Sequence, residues 1–137
     1  MTVDLFAGIS VSDLDQGRAW YERFFGKEPA FLPNDAEAVW EVDEHRYVYI
    51  EARPAHAGHS QCTLFVDDLD GWVEPIVSRG IEPEVRETYD NGVRHVTFRD
   101  PDGNELSFGA PPTQSARSET GATDRGRLES GPNDVRA

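Results

Sequence analysis

The sequence predicts an α+β fold built from two βαβββ modules, a mixed sheet with helices on one of its faces. One observation is a repeat: Val11-Ser12-Asp13-Leu14-Asp15 returns as Val66-Asp67-Asp68-Leu69-Asp70, and Gly26-Lys27-Glu28-Pro29 is echoed by Gly80-Ile81-Glu82-Pro83. A second is that both copies give the same order of signals: an alternating stretch, a capping Asp, a helical stripe, a Gly and further strands. A third is the parity of the strand-like stretches, which puts apolar residues on one face and a mixed set on the other.

The helices follow from their ends. Asp13 and Asp68 are suited to accept hydrogen bonds from the unpaired amides of a first helical turn, and Gly26 and Gly80 to take the left-handed conformation that ends a helix. Between those limits Gly17, Trp20, Tyr21 and Phe24 share one face, as do Leu69, Trp72, Val73 and Ile76. Trp20 and Trp72 therefore read as core residues. The strands follow from alternation. Ala7, Ile9 and Val11 oppose Phe6, Gly8 and Ser10, while Cys62, Leu64 and Val66 oppose Gln61, Thr63 and Phe65. Tyr47 and Tyr49 oppose Val48 and Ile50, and Trp40 falls in a strand around residues 37–42. In the last pair Val96 and Phe98 oppose His95 and Thr97, Leu106 and Phe108 oppose Glu105 and Ser107, and Asp100-Pro101-Asp102-Gly103-Asn104 makes the turn between them.

Composition bounds the rest. A chain of 137 residues and 15.3 kDa is the size of one domain. Its folded unit is expected over residues 1–110, with modules at about 4–54 and 58–110. Residues 111–137, rich in Pro, Gly, Ser, Thr and charge, are expected to stay disordered. That segment holds four Arg and four Asp/Glu, so the whole formal charge of −13 sits on residues 1–110. Such a unit repels nucleic-acid phosphates and anionic membrane surfaces and favours cationic ligands, although solubility alone also explains an acidic surface. The start of the chain has no secretory pattern, and no stretch approaches the ~18–20 apolar residues of a membrane helix, so the reading is a cytoplasmic protein. The single Cys62 has no internal disulfide partner and reads as a small buried hydrophobe.

The second sheet face carries Phe6, Gln61, Thr63, Phe65, His95, Thr97 and Glu105. This set is too polar for a core and too aromatic for plain exposure, as expected of a ligand cavity. Trp40, Tyr47 and Tyr49 read either as cavity lining or as dimer surface. His45, His56 and His59 fall in turns and loops.

Taken with the helix Ala19-Trp20-Tyr21-Glu22-Arg23-Phe24-Phe25-Gly26 and the run Phe98 to Leu106, these features resemble the vicinal-oxygen-chelate superfamily, the glyoxalase/bleomycin-resistance/dioxygenase group, over residues 4–110. The resemblance implies a curved sheet forming a partial barrel with helices outside, and a homodimer that sometimes exchanges modules. In metal-dependent members the ligand positions would fall on Phe6, Gln61 and Glu105, with an acid such as Glu51 from the first module. Phe has no donor atom and an amide is a poor stand-in for imidazole, so no metal and no other cofactor is expected. The residues assigned to ligand binding are Phe6, Trp40, Tyr49, Gln61, Thr63, Phe65, His95 and Glu105. His95 and Glu105 are also the weak catalytic candidates: His95 as a base oriented by Glu105, or as a hydrogen-bonded residue without catalysis; Glu105 as an acid in the site, or as an ion-pair partner of Arg94 or Arg99. The functional reading is a metal-free small-molecule binder, close in character to the bleomycin-resistance branch and taking a cationic or aromatic antibiotic. The alternatives are a lyase, isomerase or dioxygenase of the same superfamily, and a structural dimer without a small ligand.

Overall fold

A computed structural model describes residues 1–113. The tail expected to be disordered begins at Pro111, so all of it but its first residues lies outside the described region. The elements run β1 (Leu5–Val11), α1 (Leu14–Phe25), β2 (Phe31–Asn34), β3 (Glu37–Asp43), β4 (Arg46–Ala52), β5 (Gln61–Phe65), α2 (Leu69–Ser78), β6 (Val85–Thr88), β7 (Arg94–Arg99) and β8 (Glu105–Ala110), with a short 3-10 turn at Pro54–His56. This is βαβββ twice. Each module makes its own mixed four-stranded sheet, in the orders β1-β4-β3-β2 and β5-β8-β7-β6, so one continuous sheet is not formed and no barrel closes. Among the described residues no helix is long and apolar enough to cross a membrane.

Both helices start where an Asp can cap them. The Asp13 carboxylate accepts from Gln16 N at 2.9 Å and that of Asp68 from Gly71 N at 3.0 Å. Gly26 and Gly80 have φ of 75° and 93°. Each helix lays its stripe on the sheets, and a single core gathers the inner faces of both: Ile9 and Val11, Tyr21 and Phe24, Val48 and Ile50, Val73 and Ile76, Leu106 and Phe108. The modules interlock through Phe24, whose ring packs edge-on to Phe98 at 5.4 Å and stacks with Phe108 at 5.8 Å.

A buried polar clasp holds the modules together. The Asp100 carboxylate accepts from Tyr21 Oη at 2.7 Å, from Asn104 Nδ2 at 2.8 Å, and from the Asp102 and Asn104 amides at 2.9 Å each. Asn104 Nδ2 also donates to Ser10 O at 2.9 Å, and Ser60 N donates to Asn104 Oδ1 at 2.9 Å. The turn foreseen between the last two strands is thus also the joint between modules.

Burial first, and then the Asp100 charge and hydrogen bond, push the Tyr21 hydroxyl well above the ordinary tyrosine range. A raised pKa favours the protonated form in the folded state. The contribution is therefore intact below about pH 10 and is lost as pH climbs through the folded-state value. Tyr21→Phe is expected to lower stability at neutral pH and to flatten this alkaline decline; urea unfolding of both proteins across pH 8–11 checks it. Parallel declines in the two would contradict the assignment.

Candidate functional site

Each sheet leaves one face uncovered by helices, and the strand registers arrange that face in cross-strand rows. On the first sheet Phe6 stands opposite Tyr47 and Tyr47 opposite Glu41; the next row is Gly8, Tyr49, Val39 and Phe31; the third is Ser10, Glu51 and Glu37. On the second sheet the rows are Gln61, Glu105 and Arg99, then Thr63, Ser107, Thr97 and Val85, then Phe65, Gly109, His95 and Glu87.

The first sheet's open face is aromatic. Phe6 stacks on Tyr47 with centroids 4.5 Å apart and planes 10° from parallel, and lies 6.5 Å from Tyr49; Phe31 meets Tyr47 at 6.5 Å. The Tyr49 ring lies flat over Gly8, where an added Cβ would fall 2.6 Å from its hydroxyl oxygen. Phe65 does the same over Gly109, at 3.0 Å from such a Cβ. Glycine in these rows lets a ring lie down on the sheet and form a floor. Phe6 is 45% exposed and Phe65 is 47% exposed, so large apolar surface is left facing outward.

The second sheet's face is polar at one end. Gln61 Nε2 donates to Glu105 Oε2 at 3.4 Å, Arg99 meets the same oxygen at 3.3 Å, and Arg99 Nε donates to Glu84 at 2.6 Å. Of the two readings of Glu105, the ion-pair partner is present, and it is Arg99. Ser107 Oγ donates to Thr97 Oγ1 at 3.2 Å in the middle row. At the far end His95 stands opposite Gly109, four residues along β7 from Arg99, so its acidic neighbour is Glu87, at 3.8 Å from Nδ1, and not Glu105. That Nδ1 is buried and has no hydrogen-bond partner among the described residues, while Tyr89 packs 5.7 Å from the ring.

Of the assigned residues, Gln61 and Glu105 come into contact, and Phe6 and Tyr49 come together on the other sheet. The modules approach where Ser10 N donates to Ser60 Oγ at 3.3 Å, and Phe6 lies four residues back from that point, about 13 Å of strand. One chain therefore does not bring Phe6 beside Gln61. Trp40 lies on neither open face: it is 0% exposed in the core, packed on Tyr21 and Phe25, with Nε1 donating to Lys27 O at 2.9 Å. Cys62 is half-buried, and burial raises its thiol pKa, which favours the unreactive thiol form.

The registers also locate the first module's counterpart of the Gln61–Glu105 pair. Gln61 faces Glu105 across two parallel strands, as Phe6 faces Tyr47. Glu51 lies opposite Ser10, in another row. Tyr47, which was not assigned to the site, therefore holds the position equivalent to Glu105. A divalent metal does not fit this donor set: a stacked Phe–Tyr pair offers at most a phenol, Gln61 offers an amide, and Glu105 is already engaged by Arg99.

The family model described as the Glyoxalase/Bleomycin resistance protein/Dioxygenase superfamily matches residues 3–108. A solved structure of a glyoxalase/bleomycin resistance protein from Catenulispora acidiphila DSM 44928 is 49% identical, with a TM-score of 0.77 over 81% of this chain and 100% of its own. A bleomycin resistance determinant encoded on the transposon Tn5 is 22% identical, with a TM-score of 0.69 over 82% of this chain and 100% of its own. A bleomycin-binding protein complexed with bleomycin is also 22% identical, with a TM-score of 0.67 over 80% of this chain and 98% of its own. At that identity the last two attest the fold alone. The comparison with curated proteins returns no match. With its repeated βαβββ modules and a family match across nearly all of the described residues, the chain belongs to the Glyoxalase/Bleomycin resistance protein/Dioxygenase superfamily.

Proposed function

We propose that this protein is a cytoplasmic, metal-free binder that sequesters a small amphipathic compound, cationic or aromatic, in hollows closed by two copies of the chain. The observation that carries the reading is the Phe6–Tyr47 stack, which puts an aromatic floor in the register position where a metal-dependent member needs donor atoms. Flat rings hold planar groups by stacking. Carboxylates on the same face, Glu37, Glu41 and Glu51, with Glu87 on the other sheet, raise the local concentration of cations.

Pairing of two copies supplies what one chain lacks. Phe6, Phe31 and Leu32 on the first sheet and Phe65 and Val85 on the second are exposed, apolar surface that a partner can cover. A partner laid against it would set the aromatic face of one module against the Gln61–Glu105 face of another. Thr63, Phe65 and His95 would line the same hollow, while Trp40 acts through the core. Bleomycin is the first ligand to try, because the compared proteins include one complexed with it.

A thermal-shift titration tests this. At ~100 times its dissociation constant a ligand adds about 2.7 kcal/mol, a rise in Tm on the order of 10 °C for a domain of this size. Bleomycin or another cationic aromatic antibiotic is expected to give that rise, and Phe6→Ala with Tyr49→Ala to remove it. A panel of such compounds that leaves Tm unmoved would count against the binder.

A further inference from the structure

A further cavity is lined mainly by core-facing side chains, with Tyr47, Thr63 and Phe65 of the open rows also in its lining. It lies between β1 and β5, beyond the point where Ser10 N donates to Oγ of Ser60, the residue before β5. Along the inner face of β1, Val11 and Ile9 are 0% and 1% exposed, Ala7 is half-buried, and Leu5 reaches 64%. On β5 the inward residues Cys62 and Leu64, and Val66 just beyond, are all half-buried, although Leu106 and Phe108 on the neighbouring strand are buried. The core therefore opens into a wedge of about 710 Å³, within the range of small-molecule sites.

We propose that this wedge is a second ligand site, for a compact hydrophobic cation such as an arylalkyl ammonium. Its walls are the half-buried Ala7, Leu64, Val66 and Trp72 indole, together with the buried Val48. Removing apolar ligand surface from water against them is favourable, and an indole attracts a cation over its face. The charges that line the wedge set the sign. Arg46 is held by Asp43 at 3.6 Å, whereas Asp67 has no ion pair and no side-chain hydrogen bond among the described residues. The lining therefore carries one uncompensated carboxylate beside an apolar wall, on a unit that is strongly acidic as a whole. An ammonium complements it, and an anion is repelled.

The test is calorimetric titration of the full chain with three probes of one shape: naphthylmethylammonium, naphthylmethanol and naphthoate. The ammonium is expected to bind, the alcohol to bind about tenfold more weakly, and the carboxylate not to register. Asp67→Asn should lower the ammonium to the level of the alcohol, and Ala7→Phe, which fills the wedge, should remove both. Phe6→Ala with Tyr49→Ala should change neither, which separates this site from the one on the open faces. Equal affinity for ammonium and alcohol, absence of binding, or binding that survives Ala7→Phe and is lost in the Phe6/Tyr49 variant would each overturn the proposal. So would sedimentation showing that Ala7→Phe turns a dimer into monomers, since the wedge would then be covered by a second copy.

Discussion

Replacing Asp100 with alanine is expected to remove about 3–5 kcal/mol of stability, measured as a drop in urea midpoint at constant m-value. The carboxylate accepts four hydrogen bonds, two from backbone amides and two from the buried Tyr21 hydroxyl and Asn104 amide. Alanine leaves those donors in a space that excludes water, and an unsatisfied buried donor costs about 1–3 kcal/mol. The damage also spreads to the joint, because Asn104 holds Ser10 O on one module and Ser60 N on the other. Asp102 is a fitting control. Among the described residues its carboxylate accepts from Ser12 alone, at 2.6 Å and 3.0 Å in an exposed setting, so Asp102→Ala should cost under about 1 kcal/mol. The Ser12–Asp102 link also crosses between modules, so similar losses in the two variants would mean that the buried Asp100 cluster holds them no better than an exposed contact.

The other large effect is a gain. Phe6→His and Tyr47→Glu, combined with Gln61→His, would give both modules a His facing a Glu across the same pair of positions. That variant is expected to retain about one zinc or nickel ion per chain through dialysis, with roughly micromolar affinity or better. Two copies of the chain are needed to complete such a site, because Phe6 and Gln61 stand apart within one chain. Phe6→His with Gln61→His alone should bind more weakly, since it keeps Tyr47. A triple variant that takes up no metal would put the pairing of the two faces in doubt.

Much of the architecture was legible because it is local. Asp13 and Asp68, the two glycines that follow the helices, and the alternation in β1, β5, β7 and β8 specify elements through neighbours in sequence, and the repeat gives their order. β2 and β6 left no such signal, because all four residues of each are exposed and Pro33 interrupts the first. Trp40 resisted parity for a different reason: Ala38, Val39 and Trp40 are buried in succession, so alternation could not tell core from cavity. Tyr47 was missed as the partner of Phe6 because the register of parallel strands is set across an intervening crossover. The clasp read only as a turn, since Tyr21 and Ser10 lie 79 and 94 residues from the groups they meet. The expected proximity of His95 to Glu105 failed on distance along the strand, which parity does not encode.

On the proposed reading, the Phe6–Tyr47 stack stands on the sheet face where metal-dependent members hold their ligands. Elemental analysis of the purified, unmodified protein tests it most directly. Well under one equivalent of divalent metal per chain is expected, with no activity or stability gained on adding zinc or nickel. One tightly held equivalent, lost together with ligand binding when Glu105 is changed to Gln, would contradict it.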